Sequence, residues 1–475
     1  MKAKDLLKLG FKPGPTIGVA LKVVPPAITA LSKETVLNDL RALLTEPSAY
    51  KDHPHYALLA KALLDESASR STYVERATPA PYQIWGANLE PTAIDQMKNA
   101  ARLPIAVAGA LMPDAHVGYG LPIGGVLATD NAVIPYAVGV DIACRMRLSI
   151  FPIPSTDINR LHSSLERILQ HETVFGTGAE QKKPIDHEVL NEDWSLLPIT
   201  KRLHPKARAQ IGTSGSGNHF VEWGTLTLPD SSLSSILHPL SSSSPLPPGT
   251  YLALLSHSGS RGTGATIADF YSRLAMDQHP ELPPELRRLA WLSLDSDAGQ
   301  EYWHAMNLMG RYAHANHEII HHKIQKALGE KPIATIENHH NFAWKEHHLG
   351  RDLIVHRKGA TPAGPGVLGV IPGSMATPGF VVRGKGSAPS LHSASHGAGR
   401  TMSRTAAKEK FRWAHIRPLL ESAGVTLLSA GIDEVPLAYK DIHSVMASQS
   451  DLVETLARFD PKIVKMADAG EKPED

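Results

Sequence analysis

The chain has a single cysteine, Cys144, among 475 residues, so no internal disulfide can form and a disulfide-stapled scaffold is excluded. No apolar run approaches the roughly 18 residues that a membrane span requires. The opening stretch, MKAKDLLKLGFKPGP, has no apolar segment of the kind a secretory signal carries. An excess of charge is missing as well. Lys and Arg number 48 against 47 Asp and Glu, a net charge of +1, which excludes holding nucleic acid by bulk charge but leaves room for a local basic groove. These absences lead to the expectation of a cytoplasmic protein in a reducing environment. What the chain does have is 42% hydrophobic residues, enough for a sizeable core, and 25 histidines. Many imidazoles beside one thiol direct attention to metal chemistry.

Residues 1–75 read as a helical N-terminal extension. LSKETVLNDLRALL (31–44) and HYALLAKALLDE (55–66) place Leu and Ala at helical spacing, with Ser32 or Thr35 as N-cap. From about Tyr82 to Ile150 short apolar runs broken by glycine predict strands and tight loops. The Ser/Pro-rich stretch 228–249 reads as a surface insertion within one catalytic domain, 76–468, because the chemistry lies on both sides of it. In EYWHAMNLMGRYAHANHEIIHHKIQKALG (301–329), Tyr312, Asn316, Ile320, Ile324 and Leu328 recur every fourth residue, and Gly329 marks a stop. A further helix is expected from Ser403 through Trp413, and a disordered tail over 469–475. The expected class is α+β.

Chemistry-bearing residues sit in glycine-framed segments. MPDAHVGYGLPIGG (112–125) sets Asp114 and His116 two apart, which suits a metal or proton-transfer pair and equally a turn stabilised by the carboxylate. GVDIACRMRLSI (139–150) holds Asp141 and Cys144. A carboxylate in an apolar run needs a partner, and thiolate with imidazole and carboxylate suits Mn or Zn better than Mg or Ca. GTSGSGNHFVEWG (212–224) begins as a loop able to offer N–H groups to phosphate, lacks the lysine of a Walker loop, and carries Asn218, His219 and Glu222; a plain hairpin is the other reading. LLSHSGSRGTG (254–264) presents His257 and Arg261, and ENHHNFAWKEHH (337–348) presents His339 and His340, of which a strand can aim only one at a site. HRKGATPAGPG (356–366) and IPGSMATPGFVVRGKG (371–386) read as basic loops fitted to phosphate. SASHGAGRTMSR (393–404) exposes His396 on a glycine-flanked loop, as a nucleophile requires.

Taken in order, MPDAHVGYGLPIGG, GVDIAC, GSGNHFVE, HSGSRG, HHNF, HRKGAT, IPGSM, SHGAGR and AYKDI resemble the motifs of the RtcB-type RNA-splicing ligases from about Met112 to Ile442, and more weakly to about Lys465. The resemblance implies that family's fold, mixed or antiparallel sheets flanked by helices around a metal-binding cleft. It implies a GTP- and Mn-dependent ligase that joins RNA 2′,3′-cyclic phosphate or 3′-phosphate ends to 5′-hydroxyl ends, in RNA repair or tRNA splicing. Position by position, it implies two Mn ions held by Asp141, Cys144, His219, His257 and His340. His396 matches the histidine that becomes guanylylated, and Asp114 an acidic residue of the chemistry. Asn218, Glu222, Ser374, Ala398, Tyr439 and Lys465 match nucleotide-contacting positions, and Arg261 and Arg400 phosphate-contacting ones. A monomer, with an activating helper protein, completes that expectation.

The chain departs from the family pattern at Arg145, Ala376 and Gly379, which points to a divergent branch that repairs damaged RNA. Two other readings accommodate the same residues: a dinuclear metallophosphoesterase acting on RNA ends, needing no His396, and an RNA-binding protein with a vestigial site.

Overall fold

The structure is a computed structural model that describes residues 3–11, 15–69, 74–229 and 248–468. The expected tail, 469–475, and all of the expected insertion except residues 228, 229, 248 and 249 lie outside the described residues.

The N-terminal extension is helical, as its spacing predicts. Helices Ala3–Leu9, Pro15–Ala30, Lys33–Thr45 and Ala57–Ser69 enclose a core of their own, with Leu6, Val24, Leu40, Leu43, Tyr56 and Leu59 buried. Of the two candidate caps it is Ser32 that acts, accepting from the Thr35 N–H at 3.1 Å.

The catalytic body is built on two large sheets. One has five strands, in the order Tyr82–Ile84, Ala106–His116, Ile123–Thr129, Arg351–Lys358, Phe342–His348. The other runs Leu368–Ile371, Gly379–Gly384, Val453–Met466, Phe220–Leu228, Gly249–Ser258, Arg145–Pro154, Ala334–His339, with Thr426–Ser429 added beside 453–466. Most neighbours in it are antiparallel. Its two end strands are tied together by Asn338, whose amide accepts from Val370 N–H at 2.8 Å and donates to Val370 C=O at 3.2 Å. The sheet therefore curls almost into a barrel.

Alternation along these strands separates two faces. One face carries Phe151, Val221, Trp223, Leu252 and Leu254 against the helices Ile158–Glu172 and Asp297–Leu328. Each fully buried large apolar side chain there contributes about 1.5–3 kcal/mol before chain entropy is counted. The other face carries Met146, Leu255 and, at the strand ends, the chemistry. The 32-residue helix Asp297–Leu328 ends, as its sequence predicts, at Gly329 in the left-handed region. Tyr312, Asn316, Ile320 and Ile324 are its buried stripe.

Two expectations change. The helix expected over 403–413 is two, Arg404–Lys410 and Trp413–Ser422. Phe411 turns extended to bury its ring, and the Arg412 guanidinium caps the freed carbonyls of Lys408, Glu409 and Phe411. The basic residues of HRKGAT belong to strand Arg351–Lys358 rather than to a phosphate-binding loop. Arg357 is fully buried, forked onto Glu346 at 2.7 and 2.9 Å and stacked over Trp344, so its charge is already neutralised.

Candidate active site

The ligand candidates come from four separate segments and meet at one end of the curled sheet. Strand register places His257 beside Met146 and Phe220, with His219 immediately ahead of Phe220. Cys144 Sγ lies 3.1 Å from His257 Nε2 and 3.4 Å from His219 Nε2. His340 Nε2 is 3.2 Å from His257 Nε2, and Asp141 Oδ2 is 3.0 Å from His219 Nε2. The ligand atoms of Cys144, His219 and His257 all fall within 4.8 Å of one another. His339 turns the other way and packs on Phe342 and Trp344, so His340 is the member of the pair that faces the cluster.

Three left-handed non-glycine residues flank the ligands. Ala143, just before Cys144, and Asn341, just after His340, have φ of 57° and 59°, and Arg261 has 57°. A non-glycine residue held in that region costs about 1–3 kcal/mol and persists where surrounding contacts enforce it. The enforcing contacts are visible. Ala143 N–H donates to Asn341 C=O at 2.8 Å and His340 N–H to Cys144 C=O at 2.9 Å, locking the two ligand segments together. Gly259 admits no side chain, because a Cβ there would lie 2.1 Å from Asp141 Oδ2.

The electrostatics fit a cation. Burial, with His219 next, lowers His257 to about 3, and its Nδ1 is tied to the Asn218 carbonyl at 3.1 Å. Its Nε2 is therefore a bare lone pair. Burial, then His396 and His257, hold His340 well below the ordinary imidazole range. Burial alone would raise the Asp141 carboxyl, but the hydrogen bond and charge of His219 and the Arg261 guanidinium outweigh it and keep the group ionised. Among the described residues, buried His340 Nδ1 has no hydrogen-bond partner, and the close polar contact of buried Asp141 Oδ2 is the fellow ligand candidate His219, at 3.0 Å. Soft and hard donors left unsatisfied around one point are what a borderline divalent ion satisfies, so these residues fit a metal.

His396 stands beside the cluster, its ring centroid 4.9 Å from that of His340. Asp114, fully buried, accepts from His396 Nδ1 at 2.7 Å and from the His396 backbone N–H at 3.1 Å. The carboxylate thereby fixes the tautomer and leaves Nε2 as the nucleophilic nitrogen. Gly399 makes this approach possible: a Cβ there would lie 2.0 Å from the Asp114 carbonyl oxygen. A cleft opens over His257, His340 and His396. Asn218, Glu222, Ser374 and Tyr439 line it. Burial pushes the Glu222 carboxyl well above the ordinary carboxylate range.

Not every expected residue faces the cleft. Ala398 is buried behind the lining residue Gly397. Arg400 reaches the rim, where it bonds the Asp433 carbonyl at 2.8 Å and the Glu434 carboxylate at 3.4 Å. Arg261 lies behind the cluster rather than on its open side, buried, with its guanidinium 3.0 Å from His219 Nδ1. Lys465 projects from the opposite face of its strand, where its ammonium donates to the carbonyls of Leu169 and Gln170 at 3.1 and 3.2 Å. Its neighbours Val464 and Met466 line the cleft instead.

Two further residues support the ligands, Ser260 from inside the HSGSRG motif and Asn316 from outside every motif. Ser260 donates its N–H to Asp141 Oδ1 at 2.9 Å. Asn316, fully buried, holds Gly212 N–H (2.7 Å), Thr213 C=O (3.0 Å) and Ser258 Oγ (3.1 Å), clamping the loop that carries His219 to the strand that carries His257. The one signal for Asn316 is an amide standing in an otherwise apolar helical stripe.

A cation nest of thiolate, imidazoles and carboxylate, with a poised histidine beside it at a cleft, defines a metal-dependent group-transfer enzyme. Comparison with known proteins narrows the class. The family described as tRNA-splicing ligase RtcB matches residues 96–197 and 192–466, and the chain belongs to that family. It is 33% identical to the RNA-splicing ligase RtcB of Escherichia coli K12 over 415 residues, 79% of this chain and 95% of that protein. It is 31% identical to the tRNA-splicing ligase RtcB of Archaeoglobus fulgidus over 422 residues, 74% of this chain and 86% of that one. With the RNA-splicing ligase RtcB of Mycobacterium tuberculosis the identity is 30% over 435 residues, 77% of this chain and 98% of the relative.

Proposed function

We propose that the chain is a GTP- and Mn-dependent RNA ligase that joins an RNA 3′-phosphate or 2′,3′-cyclic phosphate end to a 5′-hydroxyl end. The observation that carries this reading is the His396–Asp114 pair at 2.7 Å, set against the metal-ligating cluster. A dinuclear metallophosphoesterase, which activates water on its metals, needs no such nucleophile. His396 Nε2 attacks the α-phosphorus of GTP; an N–P bond forms, the bond from the α-phosphorus to its bridging oxygen breaks, and pyrophosphate leaves with the electron pair. Asp114 stabilises the positive charge that develops on the ring. The GMP passes from His396 to the RNA 3′-phosphate, and the 5′-hydroxyl oxygen then displaces GMP to close the phosphodiester. Bound Mn supplies neutralisation of phosphate charge and orientation of the attacking and leaving oxygens. Cys144, His219, His257, His340 and Asp141 hold it, and Asn218, Glu222, Ser374 and Tyr439 hold the nucleotide. A thiolate ligand needs reducing conditions, which supports the expected cytoplasmic setting. We take the enzyme to be a monomer that works with an activating helper protein.

Incubation with α-labelled GTP and Mn tests the reading. A labelled band should form on the wild-type protein and be absent from His396→Ala. Absence of any nucleotide adduct on the wild type, with phosphate release from RNA ends, would favour the metallophosphoesterase instead.

A further inference from the structure

The loop 117–122, between strands Ala106–His116 and Ile123–Thr129, presents an aromatic ring that the fold does not bury. Tyr119 is 56% exposed. The Arg288 guanidinium lies over its ring, 4.4 Å from the centroid. Such exposure normally accompanies a mobile side chain, yet this loop is bolted in place. Gln96 clamps Gly118 with a pair of hydrogen bonds, donating to its carbonyl at 2.6 Å and accepting from its N–H at 3.0 Å. The Lys358 ammonium holds the Tyr119 carbonyl at 2.5 Å from the inside. A Cβ on Gly120 would lie 2.7 Å from the Arg288 carbonyl oxygen, so the two segments are in close backbone contact.

The same loop abuts the reaction centre. It begins three residues after Asp114, the partner of His396. A Cβ on Gly359, next to Lys358, would lie 2.3 Å from Ile123 Cγ2 and 3.2 Å from His396 Cε1. Tyr119 is five residues from Asp114, so at most about 18 Å of chain separates them. That is a span of a few nucleotides.

We propose that Tyr119 and Arg288 form a stacking platform for a base of the RNA strand near its reacting end. This rests on the RNA-ligase reading above for its ligand. A rigid, exposed aromatic ring backed by a guanidinium is the chemistry that takes an unpaired base without demanding its identity. The surroundings carry the complementary charge for the strand's phosphates. Arg287 and Arg288 are both exposed. The buried Lys358 ammonium faces inward onto the Tyr119 carbonyl and is not part of that exposed charge.

The test uses the full chain and a fluorescein-labelled single-stranded RNA ending in a 3′-phosphate, with binding read by anisotropy at fixed salt. Tyr119→Ala should weaken binding about 5- to 150-fold, and Tyr119→Trp should restore it. Guanylylation of His396 by GTP alone should be unchanged in both. An RNA abasic at its last few positions should bind the wild type as weakly as intact RNA binds Tyr119→Ala. The proposal is overturned if Tyr119→Ala binds RNA as the wild type does, if Tyr119→Trp fails to rescue, or if guanylylation falls together with binding, which would mark the ring as a structural part. Loss of the ligase reading would register separately, as a wild-type protein with no nucleotide adduct, while the binding comparison would stand.

Discussion

Strand Gly249–Ser258 has two faces near its end, and each meets buried histidines. On one face His257 converges with His219, His340 and Cys144, Nε2 atoms and sulfur 3.1 to 3.4 Å apart. On the other face Ser256 meets His317 and His321, each at 2.8 Å. All of these rings are buried, and burial lowers the basicity of His321 as it does that of His257. What separates the faces is satisfaction. His321 Nδ1 has Ser149 Oγ at 2.8 Å and its Nε2 has Ser256 Oγ, so both nitrogens are answered by hydroxyls. Across the strand, the Nε2 atoms of His219, His257 and His340 lie against one another, the Cys144 sulfur and Asp141 Oδ2. His321 is scaffold because hydroxyls meet both of its nitrogens, whereas the site histidines turn Nε2 toward one another and toward sulfur and carboxylate.

The largest test of that distinction is Cys144→Ala. Removing a converging ligand should weaken Mn binding by more than about 100-fold, beyond the 10- to 100-fold typical of an outer partner, and abolish joining of RNA ends. The midpoint of unfolding without metal should barely move. Metal content and calorimetric titration check the first, thermal melts the second. Retained Mn and retained joining would reduce the thiol to packing.

The opposite signature is expected behind the strand. His321→Leu removes the ring that Ser149 and Ser256 both bond. Ser256 keeps His317 at 2.8 Å, while Ser149 keeps only the longer contact to Thr335 Oγ1 at 3.4 Å. One poorly satisfied buried hydroxyl remains, at about 1–3 kcal/mol. Denaturant unfolding should therefore show a loss of about 1–3 kcal/mol, while the Mn affinity of the folded fraction stays as in the wild type. If His321→Leu lost metal as Cys144→Ala does, the two faces would not be separable.

The positions that the sequence made legible are those whose role is written in local pattern. Glycine-framed segments around Asp141, Cys144, His219, His257, His340 and His396 pointed to one site, and these side chains do meet. The alternation rule also predicted that only one of His339 and His340 would face it. Illegible positions depend on packing between distant segments. Asn316 read as one member of a helical core stripe, because nothing in the helix itself reveals that Gly212, Thr213 and Ser258 lie opposite. Arg357 read as a phosphate ligand, because Glu346 on the adjacent strand becomes its partner only after pairing. Lys465 shows how sensitive such readings are to register: one residue along the strand separates the cleft face from the helix-packed face.

Acid unfolding extends the comparison to a satisfied histidine in the five-stranded sheet, far from the ligands in sequence. His356 is fully buried. Its Nε2 accepts from the Ile134 N–H at 2.9 Å and its Nδ1 donates to the Leu127 carbonyl at 3.1 Å, an arrangement that only the neutral ring can make. Burial lowers it from 6.5 to about 4, outweighing the backbone carbonyls that favour the charged form. The sign follows directly. In the unfolded chain the imidazole takes up a proton below about pH 6.5, whereas in the fold it resists until about pH 4. Stability is therefore complete above pH 6.5 and falls on acidification, by about 1.4 kcal/mol per pH unit and about 3 kcal/mol in all. His356→Gln should lower stability at pH 7.5 yet flatten the decline between pH 6.5 and 4 by one proton's worth of slope. Urea unfolding across that range measures both, and an unchanged slope would mean that His356 is not among the groups that bind protons on unfolding.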